Sequence, residues 1–102
     1  AIGRYAYLWK SSPMQPKPYR QRRSERLLTE AEAGHAYLSS ASEARNHFIT
    51  MLNLEKACKS FRLIAAGVAR GRLDPKLEGR IVAAQQGLRE RLFNVACTLE
   101  EL

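Results

Sequence analysis

Acidic residues are almost missing from the first quarter of this chain. Glu25 is the one carboxylate in residues 1–26, a segment that holds seven of the seventeen lysines and arginines. Residues 27–102 contain ten basic and nine acidic side chains, so the net charge of +7 belongs almost entirely to the N-terminal segment. A charge confined to one end indicates a polyanion bound at that end. The plainer alternative is a solvated or targeting tail, because blocks of like charge are often only that.

Cysteine and histidine are also scarce, with two of each. Cys58 and Cys97 form no CxxC pair and no Cys/His cluster, which argues against a zinc module or a disulfide framework, and we expect two buried free thiols. His35 and His47 stand alone, and the chain has no HExxH motif, glycine-rich phosphate loop or nucleophile motif. The sequence therefore predicts no catalytic residues, no metal site, no cofactor and no small-molecule substrate, and we interpret the protein as a non-enzyme.

Long apolar runs are the third absence. No stretch approaches the roughly 20 residues that a transmembrane helix needs, so we expect no membrane insertion. The N-terminal segment is rich in arginine and poor in acid, a composition that also matches a mitochondrial presequence. It has too little apolar content to order itself, and we therefore expect a partner to hold it.

Prolines divide the chain into an extended basic arm, residues 1–26, and a helical domain, residues 27–102. Pro13, Pro16 and Pro18 each remove a backbone donor and bias the preceding residue away from the helical region, which favours an extended spacer. Residues 1–10 carry aromatic side chains at positions 5, 7 and 9, a spacing of two that fits a strand, a short helix or an irregular anchor.

Three helices are predicted, over about residues 20–39, 41–70 and 75–100, which places the chain in the all-α class. Ser40 and Glu43 form a capping box that would start the second helix. Gly71 would end that helix, and Asp74 followed by Pro75 would start the third. We expect the second and third helices to form an antiparallel hairpin, with the first helix beside it. The predicted apolar faces are Leu27, Leu28, Ala31, His35 and Leu38; Met51, Leu54, Cys58, Phe61, Ala65 and Val68, widened by Phe48, Leu52 and Ile64; and Leu77, Ile81, Ala84, Leu88, Leu92, Val95 and Leu99.

The basic segment is the strongest functional signal. Arginine favours phosphate because its planar guanidinium bonds two oxygens at once, and nearby aromatic rings can stack on splayed bases or fill protein pockets. No motif that reads bases is visible, so we expect recognition of RNA shape and backbone. The predicted RNA-binding residues are Arg4, Lys10, Lys17, Arg20, Arg22, Arg23 and Arg26, and the predicted partner anchors are Tyr5, Tyr7, Trp9 and Tyr19.

The order of these features resembles the mitochondrial ribosomal protein 63 family, a small component of the large mitoribosomal subunit. The resemblance rests on Leu8-Trp9-Lys10, the Pro- and Arg-rich stretch to Arg23, Arg26-Leu27 with Glu30-Ala31-Glu32, and Tyr37-Leu38-Ser39. It implies a structural ribosomal protein of the mitochondrial matrix that contacts ribosomal RNA and other mitoribosomal proteins, without catalysis. By resemblance, the RNA contacts fall best on the arginines at positions 20, 22, 23 and 26, and Trp9 is an anchor.

Two other function classes fit the same pattern. One is an accessory helical subunit of a mitochondrial membrane complex, whose arm would meet anionic lipid. The other is a free helical adaptor, whose arm would order only on a partner.

Overall fold

The protein is all-helical over the residues that its computed structural model describes, 18–100, with the side chains of residues 99 and 100 left out. Three helices follow in order: α1 (Tyr19–Glu43), α2 (His47–Arg70) and α3 (Pro75–Glu100). No strand occurs within this range. The predicted all-α class and the number of helices are confirmed. The predictions for Arg4, Tyr5, Tyr7, Trp9, Lys10 and Lys17 lie outside the described residues.

Helix α1 begins within one residue of its predicted start and ends four residues later than predicted. It begins at Tyr19, so residues 20–26, where the predicted arm overlapped the predicted first helix, are helical. It also continues to Glu43, so the capping box of Ser40 and Glu43 was a wrong prediction. The physical reason is burial, because Leu38 and Ala41 are both buried on one face of the helix and keep the chain helical.

Asn46 is the residue that starts α2. Its backbone is extended, and its side-chain oxygen accepts the N–H of Phe48 at 2.8 Å. This bond satisfies one of the N–H groups that lack a partner at a helix start. The second helix therefore begins at His47, six residues later than predicted.

The connection from α2 to α3 matches its prediction. Gly71 ends α2 with φ at 70° and donates its N–H to the carbonyl of Val68. Asp74 caps α3, because its side chain accepts the N–H of Lys76 at 2.9 Å and Pro75 stands at the first helical position. The glycine stop and the Asp-Pro start both act on backbone groups a few residues away. Their positions can therefore be predicted from the local sequence.

Replacing Gly71 by alanine tests this turn. The backbone at Gly71 has φ 70° and ψ −152°, a region that almost only glycine adopts, so Gly71→Ala should cost about 1–3 kcal/mol of unfolding free energy. An added Cβ would meet nothing within 4 Å, so the cost would be purely conformational. Urea denaturation followed by circular dichroism measures it.

Gly79→Ala is the matched control for that substitution. Gly79 lies inside α3 and its Cβ would also meet nothing within 4 Å. Alanine is the better helix former by about 1 kcal/mol, so this variant should be more stable than the wild type. Equal effects of the two alanines would contradict the role given to the turn.

Helix α1 packs against both other helices and makes more contacts with each than they make with one another. Small residues allow the close approach: a Cβ at Gly34 would lie 2.8 Å from a Leu88 methyl group, and one at Gly67 would lie 2.7 Å from a Leu27 methyl group. The shared core is therefore centred on α1. Its buried members are Ala31, Leu38, Ala57, Ile64, Leu73, Ile81 and Leu88.

The predicted apolar face of α3 is confirmed, and that of α2 is displaced by one residue. All predicted α3 positions through Val95 are buried in the core or packed against it, while the side chain of Leu99 lies outside the described part. In α2 the buried positions precede the predicted ones: Thr50 replaces Met51, Ala57 replaces Cys58, Ser60 replaces Phe61 and Gly67 replaces Val68. Leu54, Phe61 and Val68 still pack on the edge of the core, whereas Met51, Leu52 and Phe48 are exposed.

The two cysteines are free and half-buried, Cys58 on α2 and Cys97 on α3. Full burial was predicted for both, and neither reaches it. In α2 the positions that face α1 are occupied by small side chains, and these are the buried ones. Two helices can approach closely only where the side chains between their backbones are small.

Candidate nucleic-acid interface

The start of α1, the end of α2 and the start of α3 meet at one end of the domain. Two side chains of α1 hold them together. Arg23 donates to the carbonyls of Gly67, at 2.6 Å, and Gly71. The hydroxyl of Ser24, fully buried, accepts the N–H of Asp74 at 2.8 Å and donates to a carbonyl of its own helix. We call this the basic end, defined by residues 19–30 and 70–80.

Three of the four predicted α1 arginines are available to a partner. Arg20, Arg22 and Arg26 are all exposed. Arg22 and Arg26 lie four residues apart, so they are neighbours on the helix surface. Tyr19, predicted as a partner anchor, is 64% exposed in the first turn of α1. These predicted residues therefore lie on the first two turns of α1 rather than along an extended arm.

Arg23, the fourth predicted RNA-binding arginine, faces inward. It is half-buried, and its guanidinium bonds the carbonyls of Gly67 and Gly71 at the end of α2. The last carbonyls of a helix lack partners within the helix, and a cation there is also favoured by the helix dipole. The Arg23 guanidinium is thus occupied in joining α1 to the end of α2.

The structure adds basic residues that the sequence-based prediction missed. Arg70 ends α2, Arg72 follows in the turn, and Lys76 and Arg80 lie in the first turns of α3. All four are exposed. Their position in the sequence could have predicted this grouping. All four lie within six residues of the predicted Gly71–Asp74 turn, and a turn between two helices brings the residues around it to one end of the pair.

Positive charge is concentrated at the basic end. Residues 19–30 and 70–80 carry eight basic and four acidic side chains. The rest of the range 18–98 is longer and carries only six basic and four acidic side chains. A cleft of about 320 Å³ opens between α1 and α2 at this end. It is lined by Arg23, Arg26, Leu27, Glu30, Leu63, Ala66, Gly67 and Arg70.

The opposite end of the domain has a different character. Phe48, Ile49, Met51 and Leu52 are exposed over the first turns of α2. A cleft of about 450 Å³ lies nearby between the end of α1, the start of α2 and the last turns of α3. Large exposed apolar side chains grouped in this way are typical of a protein-binding surface.

The histidines are placed without convergence on a catalytic or metal site. Arg91 donates to His35 Nδ1 at 3.1 Å, to the His35 carbonyl at 3.1 Å and to the Ser39 hydroxyl at 2.8 Å. This arrangement ties α1 to α3. His47 is exposed at the start of α2. Within the described residues, no three His, Cys, Asp or Glu side chains are grouped as ligands for a metal ion.

Compared with known proteins, the chain matches no family model, no curated protein and no solved structure. None of the three described helices is apolar over a length that could cross a bilayer.

Proposed function

We propose that this protein is a structural component of the large subunit of the mitochondrial ribosome, in the matrix, and that it binds ribosomal RNA through the first turns of α1 and its N-terminal arm. The observation that carries the proposal is the grouping of Arg20, Arg22 and Arg26, all exposed, on the turns of α1 that directly follow the basic segment of residues 1–17. Closely spaced arginines suit a phosphate backbone because each guanidinium bonds two phosphate oxygens. In this proposal the protein has a scaffolding role and no catalytic one.

The resemblance described for residues 8–39 supports the assignment to the ribosome. The arginines it marks include these three exposed ones. We also propose that residues 1–17 form the extended arm. In the same proposal, α2 and α3 form an antiparallel hairpin, and the turn between them lies at the basic end. Tyr5, Tyr7 and Trp9 are proposed to anchor the arm on neighbouring RNA or protein.

Contacts with other mitoribosomal proteins are assigned to the opposite end. Phe48 is 69% exposed, and Ile49, Met51 and Leu52 are exposed beside it. Removing such side chains from water stabilises an interface by about 25 cal/mol for each Å² buried. In a ribosomal subunit, a neighbouring protein would cover these exposed apolar side chains.

The ends of α2 differ from the surface of a single helix that lies on an anionic membrane. A peripheral helix that lies on a membrane carries its basic and large apolar residues along the same length. Here the exposed apolar cluster begins at Phe48, whereas Arg70 lies at the far end of α2, about 30 Å away at 1.5 Å per residue. The accessory subunit whose arm alone meets lipid is tested by the vesicle experiment below.

The triple variant Arg20→Gln, Arg22→Gln, Arg26→Gln tests the proposal. We expect it to weaken binding of the purified chain to an RNA hairpin by about tenfold at physiological salt. We also expect it to flatten the log–log salt dependence by about 2, because each phosphate contact contributes a slope of about 0.7–0.9. Fluorescence anisotropy over a salt series measures both quantities. In cells, the tagged variant should be depleted from the large-subunit peak of a sucrose gradient.

The matched control is Lys59→Gln, Arg62→Gln, Arg89→Gln, which removes the same charge from exposed positions elsewhere on the domain. We expect less than a twofold change in its RNA affinity. Equal losses for the two triples would show that net charge alone attracts RNA and would overturn the site. Binding of the wild type to phosphatidylserine vesicles but not to RNA would favour the membrane-complex alternative.

A further inference from the structure

The turn between α2 and α3 presents a second group of cations beside those of α1. Arg70, Arg72, Lys76 and Arg80 are exposed, and the function proposed above does not use them. Two carboxylates lie among them, and one of these, Asp74, is engaged by the Lys76 N–H as a helix cap. Mutual repulsion among clustered cations opposes the folded state unless an anion neutralises them. The question is whether this group and the α1 group face one ligand.

Hydrogen bonds fix the turn against the basic turns of α1. The Ser24 hydroxyl lies between them: it donates to the Arg20 carbonyl at 2.7 Å and accepts the Asp74 N–H at 2.8 Å. One oxygen atom therefore joins the backbone of an α1 arginine to the residue two positions after Arg72. Arg23 makes the second connection, to the carbonyls of Gly67 and Gly71. The two cationic groups are held in a fixed relation before any ligand binds.

Arg72 stands in a backbone conformation that glycine or asparagine would adopt more easily. Its φ is 58°, and it is the one non-glycine residue with positive φ in the described range. A left-handed conformation is unfavourable for a side chain with a Cβ, and strain of this kind is often retained at functional sites. Arg72 is exposed, so core packing does not account for an arginine here, whereas an anionic ligand would.

Within residues 18–100, few exposed aromatic side chains at this end are placed to stack on bases. Among the exposed large hydrophobic residues of the described chain, Tyr19 is the aromatic one located there, since Phe48 and Phe93 lie elsewhere. Proteins that bind single-stranded nucleic acid combine a basic groove with several aromatic side chains on which the bases stack. Paired RNA is bound mainly through its backbone and shape, and that mode matches a surface of arginines and lysines.

We propose that the α2–α3 turn is a second phosphate-binding element, and that it acts with the first turns of α1 to contact the backbone of paired RNA at two places. This inference rests on the proposed function and assigns Arg70, Arg72 and Lys76 to the contact, with Arg80 beside them. Arg23 is a positioning residue within it.

The test compares three full-length triple variants that lose the same charge. They are the α1 triple and the control triple defined above and the turn triple Arg70→Gln, Arg72→Asn, Lys76→Gln. Asparagine is chosen at position 72 because it tolerates a left-handed backbone. The probes are an RNA hairpin and a single-stranded oligouridine of equal length. Circular dichroism melting, measured in parallel, shows that each variant is folded.

We expect the turn triple to bind the hairpin about tenfold more weakly than the wild type, with a salt slope reduced by about 2. The control triple should change the affinity less than twofold. The preference of the wild type for the hairpin over oligouridine should shrink in the turn triple. Single Arg72→Asn should melt at or above the wild-type temperature and still weaken hairpin binding.

Failure of this inference is distinguishable from failure of the proposed function. If the α1 triple weakens hairpin binding and the turn triple behaves as the control does, the second element is wrong and the proposed function stands. If the wild type does not bind the hairpin, the proposed function fails with it. Equal affinity of the wild type for the hairpin and oligouridine would overturn the assignment to paired RNA.

Discussion

Leu88→Ala is expected to remove about 2–5 kcal/mol from the free energy of unfolding. Leu88 is fully buried on α3, and its methyl groups occupy the space left by the missing side chain of Gly34 on α1. Truncation loses the transfer free energy of the deleted groups and leaves a cavity that closely approached helices fill only in part. Against a typical total of 5–15 kcal/mol, this is a large fraction. Urea denaturation monitored by circular dichroism measures the change.

Leu63→Ala is the control for that substitution, because it deletes the same atoms from a side chain that is 49% exposed. We expect it to cost less than about 1 kcal/mol. Similar losses for the two variants would contradict the core described here.

A double-mutant cycle tests the contact between Leu88 and Gly34 directly. A Cβ at position 34 would lie 2.8 Å from a Leu88 methyl group, closer than van der Waals contact, and the buried leucine has little room to move. Gly34→Ala should therefore be more favourable in the Leu88→Ala background than in the wild type, with a coupling above about 0.5 kcal/mol. Additive effects would mean that the two helices do not meet at these residues.

Arg23→Met is expected to cost about 2–4 kcal/mol of stability. The guanidinium donates two hydrogen bonds to carbonyls at the end of α2, and a net contribution of about 1.5–3 kcal/mol is typical of a hydrogen bond to a charged group. Methionine keeps much of the apolar stem and removes both bonds. Lysine keeps the charge, but it cannot reproduce the planar fork, so Arg23→Lys should fall between methionine and the wild type.

Arg22→Met is the neighbouring control, and it should give the opposite pattern. Arg22 is exposed, so its loss should change stability by less than about 0.5 kcal/mol and should weaken RNA binding. Arg23→Met should show its primary effect in thermal unfolding. If Arg23→Met leaves the melting temperature unchanged and weakens RNA binding as strongly as Arg22→Met does, Arg23 binds phosphate and the role assigned to it is wrong.

Local chemistry made some elements predictable. The start of α3 was correctly placed, because an aspartate cap and a proline at the first helical position act through adjacent backbone groups. The stop at Gly71 follows in the same way from its backbone conformation. The apolar face of α3 was also correct, since its large residues recur at helical spacing and bury together.

Other elements were not readable locally. Ser40 and Glu43 form a valid capping box in sequence, yet burial of Ala41 against the rest of the domain keeps α1 helical past them. In α2 the predicted face was displaced by one residue, although Ile64 is buried and Leu54, Phe61 and Val68 pack against the core. The close approach of α1 places small residues, among them Ala57 and Gly67, at the contact and leaves Phe48 in solvent.

The chain by itself determined its helical class, the turn between α2 and α3, and the surplus of positive charge near its N-terminus, because these follow from propensity, capping and composition within short stretches. Only the tertiary structure decided which cations lie close together. It turned Arg23 inward to the end of α2 and brought Arg70, Arg72 and Lys76 beside the first turns of α1. The physical reason is that the contact joins residues nearly fifty positions apart, through hydrogen bonds that exist only once the three helices have packed.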